Sequence, residues 1–375
     1  MTQMTVAAVQ KHFSELTDPR RREPIYPLID MVVMALCAVI CGADDFVAIA
    51  KFARKKKEWL SQFLNLANGT PSHDRFNAVF AALKPEEFEK CLLSWITSLH
   101  EITDGQVVAI DGKTLRRSYD KASSKSAIHM VSAWATLNHV SLGQVVTDEK
   151  SNEITAIPKL LKTLEIQGAL VTIDAMGCQT EIAKTIIDSG ADYCLAVKRN
   201  QPTLYDGIEA FFSPYFDNDF EGAKVRRYDE HETTHGREVQ RFNFICPVPK
   251  DLPDRERWKN FKAIGAVVCM SQRSGKEHIE IRYYILSRYL SGEKFGTSVR
   301  AHWGVENNLH WQLDVTFQED QCRIRKGHAD TNFSLLRRTA LSVLKNEKTA
   351  KVGIKNKRLT AAWDEEYLSQ VLFTK

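Results

Sequence analysis

The chain has 375 residues, 43% of them apolar and 26% charged, with a formal net charge of +4. That balance fits an ordinary globular protein with a large core and excludes disordered, collagen-like and disulfide-dense classes. The eight cysteines form no CxxC pair and lie mostly in apolar runs, the opening residues do not read as a signal peptide, and the longest apolar run, Met31 to Ala43, is too short to span a bilayer, so reduced thiols and a cytoplasmic location are expected.

Residues 1–100 read as a helical N-terminal domain. Apolar stretches with few breakers run from Tyr26 to Ala67, with Gly42 as a pause. The turn signal Asn68-Gly69-Thr70 follows, Ser72 is placed to cap the next helix, and Pro85 should split that helix near Lys84. The short helix from Ser72 carries His73, Arg75 and Asn77, which could enter a DNA groove; the alternative is a domain that only packs.

A second domain is expected over 105–375. "GQVVAID", "SAIHMVSAWAT" and "VSLGQVVTD" read as three strands in a meander. "EITAIPKLLKTLEIQ" has helical spacing, "ALVTID" is a strand, "CQTEIAKTIIDSG" is a helix ended by Gly190, and "ADYCLAVK" is a fifth strand. The order βββ-α-β-α-β predicts an α/β fold, a mixed sheet with helices on its faces. Residues 200–290 look like a β-rich insertion, with "GREVQRFNFIC", "FKAIGAVVCMSQ" and "HIEIRYYILSR" as its strands. Helix returns from at least Ser298 to Phe317.

Net charge decides little here, but its distribution does more. Basic runs at 18–24, 53–59, 323–328, 335–339 and 348–358 could line one long surface for a polyanion, or be scattered solvated charges.

The chemistry-bearing residues stand at strand ends. An apolar run ends at Asp111 and is followed by Lys113, Arg116 and Arg117; another ends at Asp174. If the first and fourth strands are neighbours, the two carboxylates face each other, and their repulsion calls for a cation. Mg²⁺ suits oxygen ligands and keeps positions for water and phosphate. Two such ions about 4 Å apart can stabilise both the attacking and leaving oxygens of a phosphodiester displacement. A third acid can come from the helix at 298–317, where His302, Glu306, His310 and Asp314 recur every four residues. By straight-helix geometry Asp314 has drifted about 80° from Glu306. The aromatic content of this helix suggests packing on both sides, and Trp134, Trp303 and Trp311 are expected in the core rather than as base-stacking platforms.

Two further motifs need weighing. "HETTH" (231–235) matches the HExxH zinc signature, but its threonines, Gly236 and the alternation after it favour the turn of a β-hairpin. "KRNQP" (198–202) would bring Lys198 and Arg199 near the carboxylates if the fifth strand runs parallel to the fourth.

"VVAIDGKTLRRS", "SNEITAIPKLL", "VTIDAMGCQTEIA", "YCLAVKRNQPTLY" and "RAHWGVENNLHWQLDVTFQED" together resemble the H-repeat-associated transposases, a group of DDE transposases of bacterial insertion sequences. "FSELTDPRRREPIYPL" and "PSHDRFNAVF" resemble the accompanying helical domain. The resemblance implies a ribonuclease H-like core with Asp111, Asp174 and Glu306 as catalytic acids holding Mg²⁺ or Mn²⁺, as two ions. It implies cleavage at element ends and strand transfer into target DNA, by a homodimer assembled on DNA and nucleoid-associated when bound. Lys113, Arg116, Arg117, Lys198, Arg199, His302, Arg323, Arg325 and Lys326 are the expected DNA contacts. In one departure, Val299, His302 and Leu313 stand where related transposases carry Tyr, Arg and Lys, which leaves Asp314 and Glu319 as alternative third acids. An inactive DNA-binding relative and a metal-dependent nuclease without strand transfer remain the alternative functions.

Overall fold

A computed structural model describes residues 9–99, 106–115, 129–147, 153–234, 237–273 and 276–373. The N-terminal helices are α1 (Leu28–Ile40), α2 (Phe46–Lys55), α3 (Lys57–Leu60), α4 (His73–Ala82) and α5 (Pro85–Leu99). Helix α1 is apolar on all sides and buried from Asp30 to Ile40, which makes it the centre of the bundle rather than an amphipathic cover. Local signals set the boundaries of its neighbours. Asp45 caps α2 by accepting the Ala48 N–H at 2.7 Å. Ser72 caps α4 through the Arg75 N–H, and Pro85 opens α5 in the first turn, where its missing N–H costs nothing.

The sheet begins with β1 (Val107–Thr114), β2 (His129–Ala135) and β3 (Val140–Val146). Helix α6 (Glu153–Leu161), strand β4 (Leu170–Ile173), helix α7 (Thr180–Asp188) and strand β5 (Asp192–Val197) follow. The spatial order β3-β2-β1-β4-β5, with β1, β4 and β5 parallel and β2 antiparallel to β1, is a ribonuclease H-like sheet. Strands β1 and β4 are neighbours, with Ile110 opposite Ile173.

The segment after β5 holds helix α8 (Pro202–Asp217) and four strands: β6 (Arg226–Thr234), β7 (Arg237–Pro247), β8 (Ala263–Arg273) and β9 (Lys276–Leu286). Strand β9 pairs antiparallel with β5, so these strands extend the same sheet to nine. Strand β6 was not separately legible in the sequence. Its "RRYDEHETT" is the sheet edge, and it carries charge in place of an apolar face, which blunts an edge against further pairing.

Helix α9 (Gly292–Val305) is capped by Ser291 and continues in wider π turns, Glu306–His310 and Gln312–Thr316. Helices α10 (Ala329–Asn346), α11 (Ile354–Trp363) and α12 (Glu365–Phe373) close the described chain. Helix α10 is buried from Ala329 to Leu344, against α1, α4, α5 and β3, so both ends of the sequence share one apolar core. No helix among the described residues is long and apolar enough to cross a membrane.

The C-terminal basic runs need correction as a surface. Arg337, Arg338, Lys357 and Arg358 are buried. Arg358 donates to the Val39 carbonyl at 2.9 Å and pairs with Asp44 at 3.3 Å, and Lys357 pairs with Glu347 at 3.1 Å. Their charges are spent on carbonyls and carboxylates inside the protein, because a buried cation is tolerable only when paired.

The start of α10 is fastened to the end of α4. Asn332 donates to the Phe80 and Leu83 carbonyls at 2.8 and 2.9 Å, and the His328 N–H to Ala81 at 3.0 Å. Gly327, at φ +53°, makes this approach fit, since a Cβ there would lie 2.4 Å from the Ala81 oxygen. Gly327→Ala should lower stability by about 1–3 kcal/mol, the scale of a strained left-handed residue plus a backbone clash. Chemical denaturation would show it as a lower midpoint at unchanged slope, and an unchanged midpoint would mean the junction is slack.

Candidate functional site

The β1–β4 pairing brings two acids together. Asp111 lies on β1, and Asp174 follows the last residue of β4, so the Ile110–Ile173 register sets them side by side. Asp174 caps the short turn Ala175–Gly177, its Oδ1 accepting the N–H groups of Met176 at 3.1 Å and Gly177 at 3.3 Å. Asp111 accepts the Gly112 N–H at 2.9 Å. Gly112 is needed on the opposite face, where a Cβ would stand 2.1 Å from Glu153 Oε1 and 2.7 Å from His129 Nε2.

The π turns after α9 supply the rest. One oxygen each of Asp111 and Glu306 and one nitrogen of His310 lie within 4.8 Å of one another. His310 Nδ1 stands 3.4 Å from Asp111 Oδ2. Burial first, then the charges of Asp174, Glu153 and Glu306, push the Asp111 carboxyl up to about 7. Burial, with Arg338 and Lys113 nearby, pushes His310 down to about 3. His302, one turn before Glu306, sits beside Thr172 at 3.2 Å; burial lowers it and Asp174 opposes the shift. His310 was legible only as a member of the four-residue row. Nothing in the sequence announced the π turns, which often mark functional sites.

Lys113 is the main correction. Expected on a DNA-facing surface, it is 8% exposed and bonded to Asp314 and, at 2.8 Å, to Glu319. It sits two residues after Asp111, on the same face of β1, toward α9 and its continuation. Glu319 lies outside the helix, in a short turn, and is fully enclosed, taking Ser334 at 2.8 Å and Arg338 at 3.0 Å as well. Burial would raise its carboxyl, but Arg338, Lys113 and Arg337 together hold it well below the usual carboxylate range. Asp314 and Glu319 are thus engaged on Lys113.

Lys198 and Arg199 leave β5, which runs parallel to β4, and line the same pocket as Asp174, His302, Tyr205 and Trp303. Its volume is about 450 Å³. Arg199 also pairs with Asp206 at 3.1 Å. Arg323 and Lys326 are exposed and Arg325 half-buried in the loop before α10. Arg116 and Arg117 lie outside the described residues. Trp134 is in the core as expected, but Trp303 and Trp311 are 45% and 51% exposed. Trp303 carries the Arg282 guanidinium 4.2 Å from its ring, so this side of the helix is covered by a cation rather than by apolar packing. His231 and Glu232 of "HETTH" lie in strand β6, with Glu232 paired to Arg241 at 3.1 Å; His235 lies outside the described residues.

The donor set fits a divalent cation. Carboxylate oxygens and an imidazole nitrogen converge, and Asp111, raised first by burial and then by the neighbouring carboxylates, is a group whose charged form a cation would favour.

Comparison with known proteins bears on this site. The family model described as "Transposase DDE domain" matches residues 102–343, and the one described as "DDE_Tnp_1-associated" matches residues 10–96. The "H repeat-associated putative transposase YhhI" of Escherichia coli K12 is 40% identical over 98% of both chains. The "Putative transposase YncI" of E. coli O157:H7 is 40% identical over 98% of this chain and 95% of its own. A piggyBac transposase in a synaptic complex with hairpin DNA aligns over 99% of this chain and 79% of its own, at 13% identity and a TM-score of 0.39, a likeness too loose to carry an argument.

Two tests follow from the geometry. Lys113→Met strands Glu319 and Asp314 without their ammonium and should cost about 3–5 kcal/mol, as breaking a buried pair does; a loss under about 1 kcal/mol would show the pair is solvated. The raised Asp111 carboxyl makes the metal-free protein lose stability as pH climbs from its unfolded value through about 7. Asp111→Asn should remove that share of the pH slope, up to about one proton, and identical slopes would refute the burial of this charge.

Proposed function

Because the chain belongs to the DDE transposases, in the H repeat-associated group, we propose that it cuts DNA at the ends of a mobile element and joins those ends to a target. The observation that carries this reading is the convergence of Asp111 with Asp174, through the Ile110–Ile173 register, and with Glu306, one of whose carboxylate oxygens lies within 4.8 Å of one on Asp111.

Asp111, Asp174 and Glu306 would hold two divalent ions, Mg²⁺ or Mn²⁺. When bound, such ions activate a water and offset the charge on the attacking and leaving oxygens. The remaining work falls to the chain. Asp174 keeps its direction through the two backbone N–H groups on Oδ1. Gly112 lets β1 run flush against Glu153 and His129. Lys198 and Arg199, on the rim of the pocket beside Asp174, would take the DNA backbone, and the exposed Arg323 and Lys326 would extend that contact. Water attacks the phosphorus and the 3′ oxygen leaves as a hydroxyl; that hydroxyl then attacks a phosphodiester of the target, whose own 3′ oxygen leaves and takes up a proton. Positioning supplies much of the rate, since neither step forms a bond to the protein. Two copies, one for each element end, would hold the ends together.

The test is a duplex carrying an element end, labelled at the transferred strand and mixed with a plasmid target. Joined product is the expected outcome; cleavage alone would make the protein a nuclease, and binding alone an inactive relative. Asp111→Asn, Asp174→Asn and Glu306→Gln should each lower product at least about 10²-fold, the scale of one lost electrostatic stabiliser. Asp314→Asn should keep measurable activity, because its carboxylate is spent on Lys113. Full activity in any of the first three would overturn the assignment of that acid.

A further inference from the structure

His310 has no structural explanation of its own. It is 7% exposed, on the π turn that follows Glu306. Its Nε2 makes no hydrogen bond among the described residues. Its Nδ1 faces Asp111 Oδ2 at 3.4 Å, longer than a hydrogen bond of about 2.7–3.2 Å. A buried imidazole with neither nitrogen well bonded is costly unless something else takes a lone pair. The spacing says what that is. Ligand atoms bound at about 2.1–2.2 Å to a six-coordinate ion stand roughly 3 Å apart when adjacent and about 4.3 Å apart when opposite. The Asp111, Glu306 and His310 donor atoms all lie within 4.8 Å of one another, at most about 0.5 Å beyond the widest such pair, so a small inward shift of one side chain closes them on an ion.

From this geometry we infer that His310, through one of its ring nitrogens, is a direct ligand of the divalent ion held between Asp111 and Glu306, so that one metal position is nitrogen-containing and prefers Mn²⁺ to Mg²⁺. Mg²⁺ favours all-oxygen surroundings, whereas an imidazole suits transition ions. The inference rests on the metal-dependent reading above and adds a ligand to it. It assigns His310 a role distinct from that of His302, which is turned to Thr172.

The experiment uses the full chain, Mn²⁺ alone and no DNA. Pulsed electron paramagnetic resonance on bound Mn²⁺ should show coupling to one imidazole nitrogen, changing to the ¹⁵N pattern when histidine is isotopically labelled. The coupling should vanish in His310→Gln, with Mn²⁺ affinity falling about 10–100-fold and the Mn²⁺-over-Mg²⁺ preference shrinking. It should persist in His302→Gln. The labelled parent and His302→Gln keep the test decisive if His310→Gln does not fold. Bound Mn²⁺ without nitrogen coupling, or coupling lost in His302→Gln rather than His310→Gln, would overturn this inference and leave the proposed reaction standing. No Mn²⁺ bound by the parent would overturn both.

Discussion

A lysine ammonium buried between two carboxylates ties strand β1 to the helical segment beside it. Lys113 sits on β1 two residues after Asp111, Asp314 sits eight residues after Glu306, and Glu319 lies beyond the helix. Removing three charges from water is expensive, and the expense is met only because the network is complete. Glu319 takes a hydrogen bond from Ser334 and an ion pair from Arg338 as well as from Lys113. Arg338 in turn belongs to α10, which packs under the N-terminal helices. One chain of charges thus runs from the strand of the first acid, past the segment of the third, into the core of the helical bundle. The position of Glu306 relative to Asp111 is a property of the whole molecule, not of the helix alone.

The π turns belong to the same constraint. A straight α-helix would rotate Asp314 well away from the line of Glu306 and His310. With the wider turns, His310 meets Asp111 and Asp314 meets Lys113, so the segment tracks along β1. Such turns give up regular hydrogen bonding, and the contacts with β1 are what hold them in place.

Much of this was legible in the chain itself. The strand–helix alternation from 107 to 197 marked the elements of a mixed sheet, because apolar runs of strand length separated by amphipathic helices leave few topologies, while the adjacency of β1 and β4 entered only as a condition. Ser72 and Pro85 marked boundaries through backbone chemistry that acts locally. The acids at strand ends, and the resemblance built around them, singled out the side chains now proposed to hold metal. What stayed hidden depends on partners distant in sequence. Lys113, Arg337, Arg338, Lys357 and Arg358 read as surface charge because their carboxylates and carbonyls lie elsewhere in the chain. Strand β6 carries no apolar alternation, since an edge strand gets its pairing from a neighbour. Helix α8 was folded into a segment read as β-rich, because the strand patterns around it dominated the reading.

Helix α10 has a consequence for how the protein is made. Asn332 binds the Phe80 carbonyl across 252 positions, and Arg358 binds Val39 across 319. The helices that leave the ribosome first therefore wait for nearly the last ones to complete their core. Until then α1, apolar on every side, lacks the face that α10 covers. Domains generally fold as units during synthesis, and exposed apolar helices are the substrates of chaperones. A message cut short between residues 307 and 328 would yield a chain that carries both strand acids and Glu306 but lacks the helix that packs under the bundle.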